Sequence, residues 1–183
     1  MGYSLRVMKG VTPAPEPGEY VGMLIDGIKM IIINIVYMII PIIIGIVVFS
    51  LSGGFGSLTM LGMNVSDPVA YMGLLFASFG LSLLVFMIVA FIFSLFGIIG
   101  MVRFARMDSM GEAFAFGEIT ATIGRIGWVQ YILALIVLMI ILFVIYMILG
   151  MIPVIGILLE LILAPYISIA IARYYSQLYD AGS

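Results

Sequence analysis

Four long apolar stretches, separated by short polar or glycine-rich breaks, set the pattern of this chain. The first runs from Met30 to Ser50, where only Asn34, Tyr37 and Ser50 are polar. The second runs from Val69 to Val102, the third from Trp128 to Ile152, and the fourth from Ile157 to Tyr175. About 20 apolar residues suffice to cross a bilayer as a helix. The pattern therefore predicts transmembrane helices over about 28–50, 74–101, 128–152 and 157–175. A single helix over 69–102 would measure roughly 51 Å at 1.5 Å per residue. That exceeds the ~30 Å hydrocarbon core, so this helix tilts, projects from the membrane or begins as an interfacial segment. Pro41 is compatible with a span because neighbours can satisfy the carbonyl it frees.

The breaks have characters of their own. Residues 1–22 are polar and carry Pro13, Pro15 and Pro17, which favour an extended polyproline arm. Residues 51–68 are rich in Gly and Ser and end in Asp67-Pro68, a loop signature. Asn64-Val65-Ser66 matches a glycosylation sequon. Residues 153–156 form a minimal turn, so spans three and four make a helical hairpin. Residues 177–183 are a polar tail, leaving 23–176 as the transmembrane domain.

The third break, between spans two and three, holds five of the sixteen charged residues within 103–119: Arg103, Arg106, Asp108, Glu112 and Glu118. Ser109-Met110-Gly111-Glu112 fits a capping box and predicts a helix over about 110–124. Phe116, Ile119, Ile123 and Ile126 fall on one face of it, and Glu118, Thr122 and Arg125 form a stripe on another. Such a helix would lie in the cytoplasmic interface. Arg103 and Arg106 suit the C-terminal end of span two, its dipole and the lipid headgroups. Trp128 and Tyr131 stand where an aromatic belt is expected.

Composition turns the pattern into a fold class. Hydrophobic residues make up 65% of the chain and charged residues 9%, with a mean hydropathy of +1.37. Soluble domains carry about 25% charged residues. The reading is an all-α integral membrane bundle of about four transmembrane helices plus a short cytoplasmic interfacial helix. The absence of Cys and His removes disulfides, thiolates, imidazole ligands and His-based triads. A net charge of −2 gives no reason to expect nucleic acid. No signal peptide is present at the N-terminus, and Arg6 stands where myristoylation needs Ser or Thr.

All seven Lys and Arg residues, Arg6, Lys9, Lys29, Arg103, Arg106, Arg125 and Arg173, fall on one side of a four-span arrangement. The positive-inside rule then places both termini and the 103–127 connection in the cytoplasm, with the chain in the cell membrane. There is also a weak internal echo: "VRFARMDSMG" (102–111) resembles "ARYYSQLYDAG" (172–182). If it reflects duplication, the chain is a parallel repeat of two hairpins.

Candidate chemistry is sparse. Arg103, Arg106, Asp108, Glu112, Glu118, Thr122 and Arg125 could form a surface for a partner or an anionic ligand, against a plainer reading as topology anchors with local ion pairs. Asp108 and Glu112 could do acid–base work, but no nucleophile or metal set accompanies them. Within the spans the polar candidates are Asn34, Ser78, Ser82 and Glu160. Asn34 suits an interhelical hydrogen bond, and Glu160 suits the first turn of span four. Gly73, Ala77 and Gly80 give span two a small-residue face suited to close helix packing. No catalytic, cofactor or metal site is expected.

"GEYVGMLIDGIKMIIINIVYMIIPIII", "GEAFAFGEI…IGRIGWVQYILA", "IPVIGILLELILAPYISIAIAR" and "SQLYD" resemble the prokaryotic, mostly archaeal membrane family called domain of unknown function 4013. The AF-x-F-x-E-I segment with its following Gly-Trp, Asp26-Gly27 before a span, and the terminal Arg-to-Tyr-Asp segment carry the likeness. It implies a multi-pass helical protein of the cytoplasmic membrane and assigns no catalytic residues. Family members carry a further apolar segment ahead of the Gly-Tyr that stands here at Gly2-Tyr3; with such a segment the N-terminus would lie outside. The expected role is a non-enzymatic accessory subunit, with membrane lipids, copies of itself or other membrane subunits as partners. The alternative is a small transporter component with a polar path through Asn34, the span-two serines and Glu160. A lipid-modifying enzyme would need carboxylates, or an Arg–carboxylate set, meeting at one membrane depth.

Overall fold

The computed structural model describes residues 2–10, 20–60, 67–152 and 155–183. The fold is all-α. Four of its helices are long and apolar enough to cross a membrane: α2 (Tyr20–Leu51), α4 (Pro68–Met107), α6 (Trp128–Gly150) and α7 (Ile155–Asp180). Three shorter helices join them: α1 (Gly2–Met8), α3 (Gly54–Thr59) and α5 (Phe116–Ile126), with a 3₁₀ turn at Met110–Phe114. Three of the expected spans lie inside the long helices, and the third, 128–152, overruns α6 by two residues because the chain turns at Met151. Pro41 and Pro165 sit within helices that continue through them. The prolines of residues 11–19, the sequon at 64–66 and the first half of the 153–156 turn lie outside the described residues.

The chain divides into two compact units. The first comprises Met1–Ile33 with Phe96–Ser183. In it α1 and α6 pack against α7, and α5 touches both α6 and α7. Leu5, Ile99, Phe104, Ile119, Ile123 and Tyr131 are among its most deeply buried apolar side chains. The α6–α7 connection is close: a Cβ at Gly156 would lie 2.0 Å from the Leu149 carbonyl oxygen, a backbone atom that cannot step aside. Farther along the hairpin, the Tyr174 hydroxyl donates to the Ala134 carbonyl at 2.8 Å.

The second unit is Asn34–Leu95. Asp67 starts α4 there, its Oδ1 accepting from the backbone N–H groups of Val69 and Ala70 at 3.0 Å each. Pro68 takes the first helical position, where its missing N–H costs nothing. Ser78 donates to the Ser52 carbonyl at 2.8 Å and Ser82 to the Gly45 carbonyl at 2.7 Å. Phe49 packs against Phe55 and Phe79, with ring centroids 5.2 and 4.8 Å away.

Local structure departs from expectation in four places. Residues 2–8 are not an extended arm but the helix α1, because Leu5, Val7 and Met8 bury themselves. Part of the 51–68 loop is helical, as α3, whose Phe55 joins the aromatic cluster. The expected single helix over 110–124 is a 3₁₀ turn followed by α5, and Ser109 makes no side-chain cap. Glu112 fails to reach back to Ser109 because its carboxylate is bound by Arg103. Finally, Tyr131 is fully buried rather than part of a belt, while Trp128 beside it stays partly exposed.

Candidate functional site: a braced charged end

The last turns of α4 carry two arginines about one turn apart, and each meets a different set of partners. Arg103 is the buried one. Its side chain is 7% exposed, and its Nη2 donates to Glu112 Oε2 at 2.5 Å. Glu118 of α5 lies farther off, 4.0 Å from Nη1. Val102, Phe104 and Ala105, its neighbours in sequence, are buried as well, while its head meets carboxylates that reach water. The buried Nε makes no hydrogen bond.

Arg106 points to the two ends of the chain. Its Nε donates to the Met8 carbonyl at 3.1 Å. Its Nη2 donates to Ser176 Oγ at 3.0 Å and to Asp180 Oδ1 at 2.6 Å. The guanidinium also stands 5.9 Å from the Tyr179 ring centroid, within cation–π range. One side chain thus joins α1, α4 and α7. Beside it, Lys9 Nζ meets both carboxylate oxygens of Asp108 at 2.9 Å. Asp108 directly follows α4 with a φ of 53°. Aspartate is among the few residues that accept this left-handed conformation.

The structure brings together Arg103, Glu112 and, more loosely, Glu118. It pairs Arg106 and Asp108 with groups outside the expected set: Met8, Lys9, Ser176 and Asp180. No local pattern reveals these, since Arg106 and Asp180 are 74 residues apart. The one hint is the echo between the two segments that hold them. Thr122 does not belong to an outward stripe. It is fully buried, and its hydroxyl donates to the Glu118 carbonyl at 2.9 Å. Arg125 and Glu118 remain exposed, and Arg125 keeps a long 3.4 Å contact to Thr122 Oγ1.

The polar residues of the spans separate by environment. Ser78 and Ser82 hand their protons to backbone carbonyls of α2 and its end. Asn34 and Glu160 are exposed on their helices. Gly73, Ala77 and Gly80 also face outward, and a Cβ at Gly73 or Gly80 would meet open space. Among the described residues no group of three acidic, His or Cys side chains is placed to hold a metal ion.

A family described as "Protein of unknown function (DUF4013)" matches residues 1–154. The chain belongs to this family. The match takes in α1 to α6 and the arginines of α4, while α7, with Ser176 and Asp180, lies beyond the matched residues of this DUF4013 protein. No curated protein and no solved structure matches the chain.

Proposed function

We propose that this multi-pass DUF4013 protein is a non-enzymatic accessory subunit of the cytoplasmic membrane that packs with copies of itself or with another membrane protein. The observation that carries the reading is how its scarce polar groups are used. Arg103, Arg106 and Lys9 are engaged by carboxylates of the same chain, and the span serines are engaged by backbone carbonyls. Apart from Asn34 and Glu160, the outward faces of the spans are mostly apolar: isoleucines along α2, phenylalanines along α4, and the small residues Gly73, Ala77 and Gly80. Small residues let helices approach closely in lipid. The braced end holds Lys9, Arg103, Arg106 and Asp180 together. This supports both termini and the 103–127 connection sharing the cytoplasmic side, the arrangement that the bias of Lys and Arg favours.

Photo-crosslinking in native membranes tests this. A photoreactive residue in place of Phe76, on the small-residue side of α4, is expected to give one discrete crosslinked protein band. Labelling of lipid alone would overturn the reading. The transport alternative is less favoured because Ser78 and Ser82 have no proton left to line a path. It would regain ground if cysteines at these positions reacted with water-soluble thiol reagents.

A further inference from the structure

We propose that α1 is a releasable strap, latched by Arg106, that forms one wall of a cavity against α7. A seven-residue helix is too short to persist alone, since isolated helices below about 12–15 residues are marginal in water. α1 is therefore helical when docked and unfolded when free, which makes it a two-state element.

Its docking has an apolar part and a polar part. Leu5, Val7 and Met8 are buried. The polar part gathers at its C-terminal end, where the Met8 carbonyl accepts from Arg106 Nε at 3.1 Å and from Ser176 Oγ at 3.4 Å. Lys9 adds the bridge to Asp108. Gly10 supplies a separate observation. It has a φ of +75°, and a Cβ there would stand 2.5 Å from Arg106 Nη2. The chain leaving the strap is thus pressed against the same guanidinium that holds Asp180 of α7. The latch centres on Arg106, with the Ser176 hydroxyl and the Lys9–Asp108 bridge beside it.

Behind the strap lies a cavity of about 490 Å³, with Tyr3 and Ser4 on the α1 side and Leu161, Pro165, Ser168 and Ile169 on the α7 side. Pro165 has no N–H, so the Leu161 carbonyl lacks its usual helical donor. Ser168 donates to the Pro165 carbonyl at 2.7 Å. Releasing α1 opens a wall of this cavity and bares the notch at Pro165 with the undonated Leu161 carbonyl.

The chain has no cysteine, so single-cysteine variants read the strap directly in reconstituted vesicles. Ser4→Cys reports on α1, where Ser4 is 7% exposed. Val69→Cys is the accessible control, and Ile119→Cys reports on the core beyond the strap. Maleimide modification of Ser4→Cys should be slow beside Val69→Cys. It should accelerate about tenfold or more on adding Arg106→Gln, because local opening follows the free energy lost at the latch. Gly10→Ala should act likewise, and Asp180→Asn in the same direction by less. Raising salt from about 0.05 to 1 M should speed the reaction in the native background, and by less in Arg106→Gln, where the Lys9–Asp108 bridge is left to screen. If Ile119→Cys accelerates equally in Arg106→Gln, that substitution has loosened the whole unit, and Gly10→Ala with the salt series decides. Ser4→Cys rates unchanged by Gly10→Ala and by salt would overturn the proposal.

Discussion

The Ser82 hydroxyl donates to the Gly45 carbonyl across 2.7 Å, tying α4 to α2. Ser78, about one turn away on α4, does the same to Ser52 at 2.8 Å. Interhelical hydrogen bonds in membrane proteins contribute about 0.6 kcal/mol on average and up to about 1.7. Ser82→Ala and Ser78→Ala should each lower stability by that order, and the pair should be close to additive. Unfolding in mixed micelles of mild and denaturing detergent measures this.

Arg103 and Glu112 should behave as a coupled pair. Glu112→Gln leaves a buried guanidinium without its nearest anion, with Glu118 4.0 Å away, and should destabilise by about 1–3 kcal/mol. Replacing both by apolar residues of similar volume should recover much of the loss. A double-mutant cycle that returns no coupling would show the pair to be incidental.

Gly156 and Gly150 sit on either side of the same hairpin connection and should respond in opposite ways to alanine. At Gly156 the new methyl meets the Leu149 carbonyl oxygen at 2.0 Å. The turn must open, at a cost of about 1–3 kcal/mol by analogy with overpacking. At Gly150 nothing stands within 4 Å, so alanine should be neutral or stabilising by up to about 1 kcal/mol. Thermal denaturation of the two variants in one detergent separates them.

The proposed sidedness rests on the distribution of Lys and Arg. Single cysteines at the exposed Ser109 and Ser183 should be modified by an impermeant reagent only from the cytoplasmic side, and a cysteine at the exposed Thr59 only from the other. Ser109 and Ser183 reacting from opposite sides would contradict the shared end that Arg106 and Asp180 form.

The spans were legible because their signal is length and apolarity, which no tertiary contact has to supply. The buried face of α5 was legible for a related reason, since Ile119 and Ile123 repeat at helical spacing. The sequence misled where a charged group had two possible partners. Glu112 lies in a good capping-box position, yet Arg103 one turn before the end of α4 offers a full charge in place of a backbone N–H. Thr122 looked like part of a polar stripe, but threonine can satisfy its hydroxyl on its own helix and turn inward. α1 was hidden because its four buried residues, Ser4, Leu5, Val7 and Met8, leave no periodic apolar pattern in seven positions. The Arg106 brace was hidden because its partners, Met8 and Asp180, stand at the two ends of the chain.

The most direct test of the account is the mass of the native particle. The protein should be extracted from its own membranes in a mild detergent and weighed by light scattering or native mass spectrometry. A particle containing two or more copies of this chain, or one copy with a second membrane polypeptide in fixed ratio, is the predicted result. A monodisperse single chain, unchanged by milder detergent or by lipid nanodiscs, would contradict it.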